Sequence, residues 1–136
     1  MEITLYFDGA SRGNPGPAAV GIVLVDQSGT VLVEKGEYIG VATNNVAEYK
    51  AMLRGLEEAS NLQASTVSVY GDSELLIKQM NGVYRVKHPN LLPLYQRAQS
   101  MIRAFKNISF IYIPRDQNTC ADKAANEALD QLDWRA

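Results

Sequence analysis

The sequence has one cysteine, Cys120, and one histidine, His88, and each scarcity removes a class of chemistry. A lone cysteine forms no internal disulfide. One Cys with one His assembles neither a zinc site of the usual kind nor a Cys/His nucleophilic pair. Long apolar runs are missing too, because Gly, Asp, Glu or Lys interrupts each one before the roughly 18 residues that would span a bilayer. The first residues, MEITLYF, lack a charged stretch followed by about 7 to 15 apolar residues, the signature of a secretory leader. A soluble cytoplasmic protein with no membrane association is therefore expected.

Acidic residues are absent from one long segment. Between Leu75 and Arg115 stand Lys78, Arg85, Lys87, Arg97, Arg103, Lys106 and Arg115, with no Asp or Glu. The net charge of −2 thus hides +7 in this segment against −9 elsewhere. Phosphate binding rests on Lys and Arg displacing counterions, which this split permits. A solvated surface of accidental sign fits the same charges, and charge alone decides nothing.

With 136 residues, 46% of them hydrophobic, the chain suffices for one domain, 1–136, with its own core. Ile3, Leu5 and Phe7 alternate with Thr4, Tyr6 and Asp8, the period of a strand buried mainly on one face, with Asp8 in the polar row. ASRGNPGPA forbids helix, and the apolar run Ala18 to Val25 reads as a second strand. Turn residues at 26–29 and β-branched character from Thr30 to Ile39 complete an antiparallel meander. The period then changes. Val46, Tyr49, Leu53 and Leu56 predict a helix from about Asn45 to Ser60, with Thr43 or Asn44 as N-cap. Gly55 inside it suggests close approach to another backbone.

Thr66 to Tyr70 reads as a strand feeding a short helix, Ser73 to Met80, capped by Asp72 or Ser73. Pro89 and Pro93 bracket the start of a helix carrying Leu94, Ala98, Met101 and Phe105 on one face and ending near Lys106. Ile108 to Ile113 is a last strand, 114–119 a polar loop, and Ala121, Ala124, Ala128 and Leu132 a small-residue stripe on a final helix. The order βββαβα(α)βα implies a mixed sheet, a meander joined to parallel strands by right-handed crossovers.

Four acids stand where acids are least expected: Asp8 on an apolar strand, Glu48 in the first turn of a helix, Asp72 at a strand end, and Asp122 opening an alanine-rich helix. Singly, each has an ordinary reading as a cap, a helix-dipole partner or a solvent-facing residue. Converging at one sheet edge, they would repel strongly unless protonated or neutralised by cations. An all-oxygen set suits Mg²⁺ or Mn²⁺, and two such ions can activate a water and stabilise the leaving oxygen of a phosphodiester.

The segments FDGASRGNPGPAAVG at the start, TNNVAEY at 43–49, VYGDSELLI at 69–77 and PRDQNTCADKAAN at 114–126 resemble, in order, the motifs of type 1 ribonuclease H, and the resemblance spans nearly the whole chain. It implies an α/β, ribonuclease H-like fold: a five-stranded mixed sheet, three antiparallel and two parallel strands, with helices on both faces. It implies that Asp8, Glu48, Asp72 and Asp122 are catalytic and hold two metal ions, Mg²⁺ with Mn²⁺ as a substitute. Asp8 would bridge both ions, Asp72 and Glu48 would hold the leaving-group ion, and Asp122 would serve the ion that activates water. The implied reaction cuts the RNA strand of an RNA/DNA hybrid to 5′-phosphate and 3′-hydroxyl ends.

The same resemblance assigns substrate contacts to the backbone-rich segment of Gly9, Ser11 and Arg12, and minor-groove contacts to Asn14, Asn44 and Asn45. Thr43, beside a helix N-terminus, matches a DNA-strand phosphate site. Glu74 stands where a substrate-touching Gln is common, and Arg115 where the family often has a loop His. The basic protrusion of many members is reduced here to a loop over 81–90, leaving hybrid affinity to Lys78, Arg85, Lys87 and their neighbours. A monomer is expected.

Two rivals remain: a same-fold nuclease acting mainly on double-stranded RNA or another structured nucleic acid, and a non-catalytic hybrid-binding module. Four retained acids speak against the second. His88 reads as a solvent-exposed or helix-entry residue, Cys120 as a small buried helix residue, and Tyr70, Tyr84, Tyr95 and Trp134 as packing aromatics with base stacking as the alternative.

Overall fold

Alternation of apolar and polar side chains sets the first strand, but the strand continues past the apolar residues. β1 runs over Glu2–Ser11, because Asp8 and Gly9 are buried as well and stay in the ladder. β2 (Gly16–Asp26) and β3 (Val31–Ala42) complete the antiparallel meander, followed by α1 (Asn44–Asn61), β4 (Thr66–Gly71), α2 (Glu74–Met80), α3 (Leu92–Met101), β5 (Asn107–Tyr112) and α4 (Thr119–Arg135). The computed structural model describes residues 1–135, with side chains as far as Leu132, so the Trp134 side chain lies outside the described residues.

The five strands form one sheet in the order β3-β2-β1-β4-β5. β1 pairs antiparallel with β2 and parallel with β4, which pairs parallel with β5. The expected mixed sheet is thus present, and β1 is its centre. Asp26 closes the first turn, its Oδ1 accepting from the Ser28 and Thr30 amides at 2.9 and 3.0 Å, while Gly29 takes the positive φ of 89°.

One face of the sheet packs on α1 through Leu5, Phe7, Ile22, Leu24, Tyr49, Met52, Leu56, Val67 and Val69, all inaccessible to solvent. Each such aliphatic or aromatic side chain contributes about 1.5–3 kcal/mol on burial. Thr43 caps α1, its Oγ1 accepting from the Val46 amide at 3.2 Å. Gly55 meets a side chain and not the backbone expected: a Cβ there would lie 2.4 Å from Leu5 Cδ1. The Tyr49 hydroxyl donates to Gln79 Oε1 at 2.5 Å, joining α1 to α2 inside the core.

α4 covers the other face. Ala121, Ala125 and Leu129 are fully buried, with Ala124, Ala128 and Leu132 half-buried beside them, so the small stripe is wider than the periodicity suggested.

Two local expectations are corrected, and one pair of alternatives is decided. α3 stops at Met101 and a 3-10 turn follows over Ile102–Ala104, so Phe105 reaches the core from extended backbone. Ser73, not Asp72, caps α2, its Oγ accepting from the Leu76 amide at 3.3 Å, which leaves the Asp72 carboxylate uncommitted to the helix. Cys120 is exposed, because it precedes Ala121, the residue that α4 turns to the sheet.

Candidate active site

Parallel pairing of β1 and β4 brings their C-terminal ends together. Tyr6 pairs with Tyr70, and two residues further on stand Asp8, still within β1, and Asp72, one residue past the end of β4. α1 supplies the third acid. At Gly9 the helix comes so near that a Cβ would lie 2.2 Å from the Ala47 carbonyl carbon, and the Gly9 amide donates to Glu48 Oε1 at 2.9 Å. Carboxylate oxygens of Asp8, Glu48 and Asp72 consequently lie within 4.8 Å of one another.

Asp122 comes from the opposite face. It lines the same cleft of about 420 Å³, together with Asn44, Arg115 and Asn126, but stays outside the 4.8 Å group. Asn126 Nδ2 donates to Asp122 Oδ1 at 3.1 Å, and the exposed Arg115 guanidinium stands 3.6 Å from that same oxygen.

Asp8 and Glu48 are only 5% and 4% exposed, which sets their electrostatics. Burial pushes the Asp8 carboxyl far above its usual range, and the hydrogen bond and charge of Glu48 add to it, followed by the charge of Asp72. Burial also raises Glu48, against the lowering effect of hydrogen bonds with Asp8 and the Gly9 amide. Without a cation, such a pair holds a proton between them. Glu48 Oε2 is buried with no hydrogen-bond partner among the described residues. An orphaned carboxylate oxygen in an all-oxygen cluster is what a hard divalent cation satisfies, so the residues present fit a metal.

The remaining sequence-predicted residues divide into three groups. Asn14 Oδ1 accepts from the Asn44 amide at 3.1 Å, and Asn14, Thr43 and Asn45 line a second hollow of about 200 Å³ with His88 and Asn90. His88 is exposed as expected, its Nδ1 accepting from the Asn90 amide at 3.1 Å. Ser11 is committed to the loop, its Oγ donating to the carbonyls of Gly13 and, at 2.7 Å, Ala42. Arg12 lines the cleft mouth and pairs with Asp130 at 2.5 Å.

Glu74 and Lys78 pair with each other on α2 at 2.7 Å, with Lys78 Nζ 5.2 Å from the centre of the Tyr84 ring. Lys87 is exposed. Tyr70 stacks on Tyr6 at 5.3 Å between ring centres, and Tyr95 packs half-buried against the core, which are packing roles.

The sequence reading had no functional role for Asn118 and Asn126. Asn118 is 1% exposed. Its Nδ2 donates to the Phe7 carbonyl at 2.8 Å and to Asp72 Oδ2 at 3.3 Å. A polar residue in a polar loop carries no sign of burial, so no sequence signal marked it. Gly21, the one glycine within the apolar run of β2, was a legible signal of close approach.

Comparison with known proteins gives the arrangement a family. The family model described as reverse transcriptase-like matches residues 6–128. Ribonuclease HI of Halobacterium salinarum is 47% identical over 95% of this chain and 65% of its own. A crystal structure of that archaeon's RNase H1 superposes with a TM-score of 0.94 at 45% identity, covering 96% of this chain and 99% of that one. The chain belongs to the ribonuclease HI family.

A bifunctional protein of Mycobacterium tuberculosis is 48% identical over 96% of this chain, but the match covers 36% of its length. This chain therefore spans about a third of its mycobacterial relatives and two thirds of the haloarchaeal one. LC11-RNase H1, isolated from compost, was solved in complex with an RNA/DNA hybrid and superposes at a TM-score of 0.91 with 42% identity, covering 96% of this chain and 98% of that one.

Proposed function

We propose that this ribonuclease HI family member is an endonuclease that hydrolyses the RNA strand of RNA/DNA hybrids, acting as a cytoplasmic monomer. The convergence of Asp8, Glu48 and Asp72 within 4.8 Å, with Asp122 on the rim of the same cleft, is the observation that carries the reading. A relative bound to a hybrid supports the substrate class.

Two Mg²⁺ ions, with Mn²⁺ as a substitute, would be held by Asp8 as the shared ligand, Glu48 and Asp72 on one side and Asp122 on the other. When bound, such ions supply an activated water and neutralise charge on the leaving oxygen. The water oxygen bonds to phosphorus as the bond to the 3′-oxygen breaks, and the proton passes to that oxygen, leaving a 5′-phosphate and a 3′-hydroxyl. The chain's own residues orient the substrate. Asn14, Asn44 and Asn45 present donors and acceptors to the minor groove, where 2′-hydroxyls distinguish RNA from DNA. The Thr43 hydroxyl and the N-terminus of α1 receive a phosphate of the DNA strand. Lys78 and Lys87 add backbone affinity. Arg115, exposed at the mouth, helps the cut phosphate leave.

The test is cleavage of labelled RNA/DNA hybrid, RNA duplex and single-stranded RNA in Mg²⁺, Mn²⁺ or EDTA. Cleavage of the hybrid's RNA strand alone, abolished by EDTA, is the expected result. Stronger cutting of RNA duplex would move the substrate to double-stranded RNA, and equal cutting in EDTA would overturn the mechanism.

A further inference from the structure

Asn118 sits at the junction of three acid-bearing segments. Its Nδ2 donates both to the carbonyl of Phe7, the residue before Asp8, and to Asp72 Oδ2, at 2.8 and 3.3 Å. Its own carbonyl accepts from the Asp122 amide at 3.1 Å, opening the first turn that carries Asp122. The orientation of the carboxamide is dictated by its partners: both are acceptors, so the nitrogen faces them. The price is Oδ1, which is buried with no hydrogen-bond partner among the described residues.

A carboxamide 1% exposed with one oxygen unsatisfied is costly as packing alone, since an apolar side chain of that volume would bury no polar atom of its own. The contacts of its nitrogen account for its presence. We infer that Asn118 is a positioning residue that fixes the Asp72 carboxylate against β1 and ties it to the start of α4, so that the acid cluster is held in its cation-binding shape. Groups that hydrogen-bond to metal ligands orient them, and their loss typically weakens metal affinity about 10- to 100-fold.

This inference rests on the acids being a metal cluster, and the experiment separates the two. Mn²⁺ binding is measured by titration calorimetry on the wild-type chain, Asn118→Ala, Asn118→Ser and Gln79→Ala, alongside thermal unfolding in EDTA. Gln79→Ala is the structural control, because Gln79 is also buried and hydrogen-bonded but to Tyr49, away from the cluster. Both Asn118→Ala and Gln79→Ala lower Tm in EDTA. Of these two, Asn118→Ala alone raises the Mn²⁺ dissociation constant, by about 10- to 100-fold, and its hybrid KM at saturating metal stays that of the wild type. Asn118→Ser, which keeps one donor, lies between and carries the comparison should the alanine variant not fold. A wild-type dissociation constant in the Asn118 variants, or an equal rise in Gln79→Ala, overturns the inference. Absence of saturable Mn²⁺ binding by the wild-type chain overturns the metal-cluster reading itself.

Discussion

Asp8 on β1 and Gly21 on β2 are direct register partners, and the missing side chain of the glycine admits the Ala121 carbonyl of α4 to the space beside the acid. Opposed residues of an antiparallel pair project to the same face. Gly21 thus lets α4 descend until Asp122, one residue after Ala121, shares a cleft with Asp8. On the other face Gly9 does the same for α1 and Glu48.

Gly21→Ala should therefore injure chemistry without touching an acid. Its Cβ would lie 2.0 Å from the Ala121 oxygen and 2.7 Å from the Ala125 nitrogen, both main-chain atoms that yield only if the helix lifts. A loss of about 1–3 kcal/mol in urea unfolding is expected, together with loss of hybrid cleavage at temperatures where the variant is fully folded. Wild-type cleavage by a folded variant would show that the position of α4 is irrelevant to turnover.

Asp8→Asn should abolish cleavage and stabilise the metal-free protein at neutral pH. Burial raises the native carboxyl far above its ordinary value of 3.8, so between those limits the native state holds a proton that the unfolded chain releases. The unfolded state then binds fewer protons, and stability declines as pH rises through that window. In EDTA, the Tm of the wild type should fall between about pH 4 and pH 8 more steeply than that of Asp8→Asn. Added Mg²⁺ should reverse the decline in the wild type only. Parallel Tm curves would refute the raised carboxyl.

Thr43→Ala should show two separable losses. Removing the cap that binds the Val46 amide costs about 1 kcal/mol of stability. The hybrid KM should also rise several-fold, with kcat little changed, if the hydroxyl receives a DNA phosphate. A variant with lowered Tm and unaltered KM would reduce Thr43 to a cap.

Arg115→Ala should change turnover and not stability. The guanidinium is 80% exposed and 3.6 Å from Asp122, a pairing worth at most about 1 kcal/mol. Steady-state kinetics should show kcat reduced several-fold at unchanged Tm; an unchanged kcat would make Arg115 an ordinary surface residue.

Most of the fold was legible in local periodicity. The alternation of Ile3, Leu5 and Phe7, the 3-4 spacing from Val46 to Leu56, and the small stripe after Ala121 each appear as the expected element. Boundaries erred where tertiary burial overrode the local signal, as at Asp8 and Gly9, which are both buried and remain in β1, with α1 closing directly over Gly9. The four acids were legible by their company: carboxylates among apolar residues at strand ends and helix starts. Asn118 was not, because its neighbours are polar and its burial depends on α4 folding back over β1. Cys120 was misjudged for the same kind of reason, since a one-residue difference in helix phase decides which side chain meets the sheet.

The tightest approaches around the acids, at Gly9 and Gly21, are main chain against main chain. Such contacts contain no rotamers to rearrange, so the distance between the two helices is insulated from drift in the aliphatic interior. Exchanges among Leu, Ile, Val and Met in that interior could then tune heat resistance over a wide range while the catalytic apparatus keeps one geometry.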